Sequence, residues 1–463
     1  MRTTAGAGTA ARSSRARRGA PAAIPLVGLV LVGLALRSAW GADLLPEPEP
    51  RTHLATTVPG SLAPSGADAG SAVLSSVATA AAGQTRAFTS IWDRGVGSAT
   101  GAERAEPSEA NPASDPATIA LSAQSRLPGD LAARLRADAS IEDVTVVRAG
   151  YQDLVATWDA EGRAVDRTEG GWRYPIEVLA VEPAGYAALL QVPEVLDLGP
   201  GEALLSTSSA VVREVGVGGR LRVADGTEVR VAGVLPDPLV GAAEVLVTTA
   251  SPLAPTWDAY VLARRADAGD EEVLQRFREV AGTPLVQVRG GEVPVLRHAP
   301  DLMAPARLKR VFGEFAISDA PGRWFQQDAA WQAAALDRRA LPIVGEQTCH
   351  VLMFDPLTAA LEELVDRDLD HLLDPGDVGG CWGPRVQVVR APSTHAWGIS
   401  IDLNVQTNGF GATPTLPAEV VEVFTRHGFA WGGDWVVPDG MHFELVVDRP
   451  PGERWMADPD AGW

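Results

Sequence analysis

Hydrophobic positions along the chain fall into three regimes. Ala22 to Leu36 (AAIPLVGLVLVGLAL) is uninterrupted apolar sequence. From Leu44 to about Ile119, Ala, Ser, Thr, Gly and Pro dominate and no apolar period is sustained, as in a spacer. Beyond Leu127, helical and strand periods alternate. Asp130 stands where a helix cap belongs, before LAARLRAD, whose Leu131 and Leu135 share one face; VTVV (Val144 to Val147) then reads as a strand. A second helix and strand recur in DEEVLQRFREVAG, with Val273, Leu274, Phe277 and Val280 on one face and Gly282 as the stop, and in PLVQV. Between the pairs, LRVADGTEVRVAGV alternates on both sides of Asp225-Gly226, a hairpin signal. The expectation over 127–295 is an α+β module with a β-rich insertion.

After a linker over 296–341, a third region is expected from 342 to 463. Asp355 and Pro356 start a helix in which Leu357, Leu361, Leu364 and Val365 recur, ending near Leu373. Ile399, Ile401 and Leu403 then alternate with Ser400, Asp402 and Asn404, so a strand buries one face and presents Asp402 on the other. Pro417 to Gly428 reads as an amphipathic helix. In the last strand, His442 and Glu444 share a face opposite Phe443 and Leu445. The fold class is therefore α+β: a C-terminal domain with a small antiparallel sheet and helices, preceded by the α+β module and an N-terminal membrane segment.

Charge narrows the class of partners. The net charge is -20, although the first 41 residues hold six arginines and no acid, so the remainder is more acidic still. Such a surface repels phosphate backbones and excludes nucleic acid as a partner. The basic residues 1–21 followed by the apolar run over 22–41 have the layout of a signal peptide or a signal anchor, with the positive flank cytoplasmic and the rest outside. Its 15 apolar residues fall short of the roughly 20 of a full span, and Arg37 can snorkel to extend it. Retained anchor and cleaved signal both stay open, and residues 42–126 read as a flexible extracellular spacer in either case.

The chemistry lies in the third region. His395 sits in the polar turn STHAWG, and Asp402 and His442 stand on strand faces. Two imidazoles and a carboxylate are a donor set that Zn2+ takes in catalytic sites, with a position left for water. Asp439, three residues before His442 across a Pro-Asp-Gly turn, is placed to act as base. The remaining histidines lack this setting. His427 precedes Gly428 at a helix end, where a cation favours the dipole, and His350, His371, His298 and His53 have no acidic or histidine partner at useful spacing.

The combination SxHxxGxxxD (Ser393, His395, Gly398, Asp402), then WGGDW (Trp431 to Trp435), then DxxH (Asp439, His442) resembles the VanY-like zinc D-alanyl-D-alanine carboxypeptidases, a family that includes L-alanyl-D-glutamate endopeptidases. The resemblance implies Zn2+ held by His395, Asp402 and His442, with Asp439 taking a proton from the attacking water and passing it to the leaving amine. Arg385 falls where the family places an arginine that binds the substrate's carboxylate or carbonyl oxygen. Glu444 would orient His442, Ser393 would bond within its turn, and Trp397, Trp431 and Trp435 would either wall the cleft or pack in the core. The expected substrates are peptidoglycan stem peptides, and the WGGDW element tilts the bond cleaved towards L-Ala-D-Glu over D-Ala-D-Ala.

The middle stretch GPGEALLSTSSAVVREVGVGGRLRVADGTEVRVAGVL (Gly199 to Leu235) resembles the extracytoplasmic core domain of MacB/FtsX-type ABC permeases. That implies a positioning module with a possible protein partner and no catalysis. The glycines of GVGG precede a hairpin strand instead of opening a helix, which argues against phosphate binding. Cys349 and Cys381, with 31 residues between them, have no CxxC spacing, and an exported chain favours their oxidation. A disulfide there contributes about 3 to 4 kcal/mol by loop entropy. The expectation is an exported, membrane-tethered or secreted, zinc peptidase. A wall-peptide-binding scaffold without turnover is the alternative.

Overall fold

The computed structural model describes residues 118–123, 127–264, 271–290, 302–386 and 391–446. The basic tail, the apolar run over 22–41, His53 and His298 lie outside them. Among the described residues no helix is long and apolar enough to cross a membrane.

A mixed α+β architecture is observed. The first part runs β1 (Thr118–Ser122), α1 (Leu131–Ala137), β2 (Glu142–Trp158), β3 (Ala164–Arg167), β4 (Tyr174–Val181), α2 (Pro183–Leu190), β5 (Glu202–Ser206), α3 (Thr207–Arg213), β6 (Arg220–Val223), β7 (Glu228–Leu235), β8 (Val245–Thr248), β9 (Asp258–Arg264), α4 (Glu271–Ala281) and β10 (Gln287–Gly290). All ten strands join one sheet in the order β10-β1-β9-β2-β4-β8-β5-β7-β6, with β3 on β2 and an added β2–β6 pairing that closes six of them into a ring. The strand expected at Val144 to Val147 is the first part of β2, whose 17 residues pair with β9 and β4 early and with β6 late. Leu154, Val178, Leu205, Leu221, Val231 and Val247 form one apolar cluster of this region. The β6–β7 hairpin turns at Gly226, whose φ of 92° favours glycine. In GVGG, a Cβ on Gly219 would lie 2.7 Å from the Trp158 carbonyl, so this glycine serves close backbone packing.

Strand β1 begins this sheet nine residues before the expected start at 127. The stretch expected as a linker over 296–341 is, from 302 on, regular structure: α5 (Pro305–Phe312), β11 (Ile317–Asp319), β12 (Phe325–Gln327), α6 (Ala329–Ala335) and β13 (Leu336–Leu341). Its Met303, Leu308, Phe312, Phe315, Phe325 and Trp331 enter the same core as Leu361, Phe424 and Phe443. Elements of three to eight residues are too short for a period to register, which is why this sequence reads as a connection. The chain continues through β14 (Gly345–His350), α7 (Phe354–Asp366), β15 (Val378–Gly380), β16 (Ser400–Leu403), α8 (Ala418–Arg426), β17 (Phe429–Trp431) and β18 (His442–Leu445). Helix α7 stops before the expected Leu373, with Asp368 at φ 56°. Strands β15-β16-β18-β17 form an antiparallel sheet, and α8 places Phe424 4.4 Å from the Phe443 ring.

Helix α5 has two attachments. Leu308 and Phe312 pack into the C-terminal core, whereas Lys309 reaches the first part of the chain. There Lys309 and Arg213 each pair with both Glu244 and Glu314 in a buried group of two cations and two anions. Burial alone would raise the pKa of Glu244, and Lys309 and Arg213 hold it below the usual carboxylate range. Lys309 also donates to the Pro175 carbonyl, and Arg173 and Ile317 exchange backbone hydrogen bonds beside this group. Removing one member leaves an uncompensated buried charge. Lys309→Met is expected to destabilise the chain by about 3 kcal/mol or more in denaturant unfolding; an unchanged unfolding midpoint would show that the group carries no stability.

Candidate metal centre

The site is built on the β16–β18 register. Asp402 stands opposite His442, and Ser400 opposite Glu444. Ile401 and Phe443 point into the core, so the alternation of the two strands sends Asp402, His442 and Glu444 to the other face. That face is itself enclosed: all four residues of each strand are buried. His395 arrives from the short 3-10 turn Thr394–Trp397, which Ser393 caps by accepting from the His395 backbone N-H at 3.4 Å. Gly398 ends the turn at φ 69°, and a Cβ there would meet the His350 backbone N at 2.9 Å. This is the one glycine of the turn that no other residue replaces without strain.

Three donor atoms converge. His395 Nε2 lies 3.2 Å from Asp402 Oδ1 and 3.3 Å from His442 Nδ1, and His442 Nδ1 lies 3.1 Å from Asp402 Oδ1. Each imidazole is oriented by a partner on its other nitrogen. His395 Nδ1 donates to the Cys381 carbonyl at 3.0 Å, and His442 Nε2 donates to Glu444 Oε2 at 3.1 Å. Because a carbonyl and a carboxylate only accept, the nitrogens left to face the centre, and to give a lone pair to an ion once His442 has lost its second proton, are His395 Nε2 and His442 Nδ1. Glu444 is steadied by the Thr394 hydroxyl at 3.0 Å, which in turn accepts from Ser400 Oγ at 2.6 Å. The donor set fits a small divalent ion such as Zn2+. Ligands about 2.0 to 2.1 Å from zinc at tetrahedral angles stand about 3.3 Å apart, the spacing observed here.

The surroundings are close. A Cβ at Gly379 of β15 would lie 2.8 Å from Asp402 Cβ, so the neighbouring strand approaches the carboxylate only as glycine. Arg385 Nη2 stands 3.7 Å from Asp402 Oδ2. Asp439 lies in the turn before β18: its N-H donates to the Gly432 carbonyl at 2.8 Å, and its own carbonyl accepts from the His442 N-H at 3.0 Å. Gly432 has no room for a side chain, since a Cβ would be 2.6 Å from the Asp439 carbonyl. Asp439 Oδ1 is buried and has no hydrogen-bond partner among the described residues, an acceptor with unused capacity beside the centre. The Trp435 ring lies beside the site, tilted to the His442 ring with centroids 5.4 Å apart.

Electrostatics separate the two aspartates. Burial would raise Asp402, but His395 and His442 hold it far below the carboxylate range. Burial raises Asp439 to about 6, with the neighbouring Asp402 and Glu444 adding to the rise and His442 and Arg385 opposing it. Burial lowers His395, outweighing Asp402. Burial acts in the same direction on His442, yet hydrogen bonds to Asp402 and Glu444 prevail and raise it to about 10.

Of the residues singled out from the sequence, the structure brings together His395, Asp402, His442, Asp439, Arg385, Glu444, Ser393 and Trp435. Trp397 lies elsewhere: its ring packs 4.6 Å from Phe315 and its indole N-H donates to the Gly313 carbonyl at 2.9 Å, so it is core and lines no cleft. Trp431 donates to the Gly440 carbonyl at 2.8 Å and lies beside Phe443. His350 is buried against Phe312, and His427 pairs with Glu363 at 2.9 Å. Cys349 and Cys381 form a disulfide, which fixes the residue whose carbonyl orients His395. Thr394, Ser400, Gly379 and the Cys381 carbonyl were not singled out. The hydroxyls flanking His395 and Asp402 were a visible signal; the carbonyl was not.

An ion at His442 Nδ1 displaces a proton from a group titrating near pH 10. Zinc affinity of the metal-free protein, titrated against a chelating dye, is expected to rise about tenfold per unit between about pH 7 and pH 9. A pH-independent affinity would contradict the hydrogen-bonded arrangement of His442.

Among solved structures, the periplasmic region of MacB from Actinobacillus actinomycetemcomitans is similar at 11% identity and TM-score 0.26, covering 38% of this chain and 90% of that one. A domain of a putative permease protein from Porphyromonas gingivalis is similar at 19% identity and TM-score 0.23, over 38% and 87%. The extracellular domain of the ABC-type transporter YknZ from Gram-positive bacteria is similar at 12% identity and TM-score 0.25, over 37% and 100%. No curated protein matches the chain. Residues 388–445 match the family model described as D-alanyl-D-alanine carboxypeptidase, and the segment bearing His395, Asp402, Asp439 and His442 is similar to that family.

Proposed function

We propose that the protein is an exported zinc peptidase that hydrolyses peptidoglycan stem peptides. The observation that carries this reading is the convergence of His395 Nε2, Asp402 Oδ1 and His442 Nδ1 within 3.1 to 3.3 Å, beside Asp439, whose Oδ1 is buried with no partner among the described residues. When bound, Zn2+ supplies Lewis acidity, polarising a carbonyl and acidifying water. The chain's own residues do the rest. Asp439, ionised above about pH 6, takes the proton of the attacking water and returns it to the leaving amine. Arg385, held near Asp402 at 3.7 Å, has donors left to stabilise negative charge developing on the substrate. Glu444 and the Cys381 carbonyl keep both imidazoles in the tautomers that the metal needs. Trp435 covers one side of the centre and limits water there.

The match over 388–445 supports peptidase chemistry on D-alanine-containing peptides. Export fits the Cys349–Cys381 disulfide, which persists in oxidising compartments. In this reading the N-terminal apolar run tethers the chain or directs its secretion, and the β-rich module positions the catalytic domain and binds a protein partner. A fragment starting at 342 would omit Phe315 and Trp331 from its core, so the full chain is the material for assay.

The test is mass spectrometry of defined muropeptides incubated with the full-length, zinc-loaded protein. Loss of terminal D-Ala identifies a carboxypeptidase, a cut between L-Ala and D-Glu an endopeptidase, and no product from a metal-loaded protein would overturn the reading in favour of a wall-peptide-binding scaffold. Asp439→Asn is expected to keep zinc bound while lowering kcat/KM by about a thousandfold. Wild-type kcat/KM is expected to fall as pH drops through about 6 or just below, where Asp439 protonates. Full activity in Asp439→Asn would remove this residue as the base.

A further inference from the structure

An exposed tryptophan stands beside Arg385, supplied by sequence outside the matched segment. Trp324 and Arg385 bridge in antiparallel fashion. The hydrogen bonds fall on their neighbours: the Phe325 N-H donates to the Pro384 carbonyl at 3.1 Å, and the Val386 N-H to the Arg323 carbonyl at 2.9 Å. That is the closer kind of antiparallel pair, with Cα atoms about 4.5 Å apart and both side chains on one face. Phe325, next in β12, turns the other way and stacks on Phe315 in the core with ring centroids 6.1 Å apart, which fixes the direction of Trp324.

The face that Trp324 shares with Arg385 is the face of the metal centre. Arg385 Nη2 lies 3.7 Å from Asp402 Oδ2. A Cβ on Gly383 would meet Arg385 Nη1 at 3.0 Å and Trp324 Cζ3 at 3.8 Å, so guanidinium and indole both lie against this one glycine. Gly383 in turn donates its N-H to the His395 carbonyl at 2.9 Å. Trp324 is 55% exposed, the one exposed tryptophan among the described residues, whereas Trp331 and Trp397 are buried in the core. An indole left open here offers a flat apolar surface to a ligand.

The groups flanking the metal decide which part of a substrate meets that surface. Arg385 marks the acyl side, because negative charge develops on the oxygen of the scissile carbonyl, and Asp439 marks the side of the leaving amine. In either stem-peptide bond the residue bearing that carbonyl is alanine, so Trp324 faces what precedes the alanine. For D-Ala-D-Ala this is a diamino acid, whose cation would meet the Arg385 guanidinium beside the ring. For L-Ala-D-Glu it is the lactyl group and uncharged ring of N-acetylmuramic acid, about 7 Å of extended chain from the carbonyl. A sugar ring lays a face of C-H groups on indole and brings no like charge. We propose that Trp324 is the stacking platform for this sugar. Resting on the peptidase reading above, the assignment makes the centre an L-Ala-D-Glu endopeptidase for stems still joined to the glycan. Trp324 contributes binding and leaves the proton transfers to Asp439.

The test uses the full-length, zinc-loaded protein with N-acetylmuramyl-L-Ala-γ-D-Glu-L-Lys-D-Ala-D-Ala and with the same pentapeptide carrying an acetyl group in place of the sugar. Mass spectrometry reads the bond cut, and initial rates give kcat and KM, with the zinc content of each variant measured. The wild-type protein is expected to cut L-Ala-D-Glu with a KM about tenfold lower for the sugar-bearing peptide. Trp324→Ala is expected to erase that difference, with kcat and the sugar-free KM unchanged, and Trp324→Phe to restore part of it. Equal wild-type KM values, a cut at D-Ala-D-Ala alone, or a Trp324→Ala loss shared by both peptides would overturn the platform and leave the peptidase reading in place. No cleavage of either peptide by the loaded wild-type protein would overturn that reading and the platform with it.

Discussion

The register of β16 on β18 is the constraint on which the site depends. Pairing Asp402 with His442 places a carboxylate and an imidazole side by side on a buried face, and Ser400 with Glu444 supplies the support one step further along. A slip of one residue would turn Asp402, His442 and Glu444 into the core and Ile401 and Phe443 out of it. The apolar alternation that makes the sheet stable thus also fixes the polar alternation that makes the centre. Burying these groups is costly unless each is paired. The pairs are present, and they leave three ligand atoms converging on one point.

Around that register, supports come from distant parts of the chain. The disulfide holds Cys381 where its carbonyl meets His395, and the turn carrying His395 is closed by Gly398 against the His350 backbone. The end of α5 reaches the same region, because the Phe312 carbonyl accepts from Trp331 at 3.2 Å and Gly313 accepts from Trp397, two residues from His395. Helix α5 is in turn pinned through Lys309 to Glu244 of the β-rich part. The metal turn, the segment joining the two parts and the buried charge group are therefore mechanically continuous.

What was legible in the sequence follows from the range of the interactions. His395, Asp402, His442 and Glu444 could be placed because strand alternation is a local rule and their faces followed from Ile399, Ile401, Phe443 and Leu445. The hairpin at Asp225-Gly226 and the helix before Gly282 were legible for the same reason. Contacts set by packing across the fold were not. Trp397 and Trp435 look alike in sequence, yet one packs on Phe315 and the other lies beside His442. Residues 302–341 gave no period because their elements are short, so a large share of the C-terminal core was hidden in what read as a connection.

The central claim is that His395, Asp402 and His442 bind one zinc ion through Nε2, a carboxylate oxygen and Nδ1. X-ray absorption spectroscopy at the zinc edge on stoichiometrically loaded full-length protein tests it directly. The account expects one ion with two imidazole ligands and oxygen in the remaining positions, and loss of that spectrum in His395→Ala. Failure to take up one equivalent of zinc, or an unchanged spectrum in His395→Ala, would contradict it.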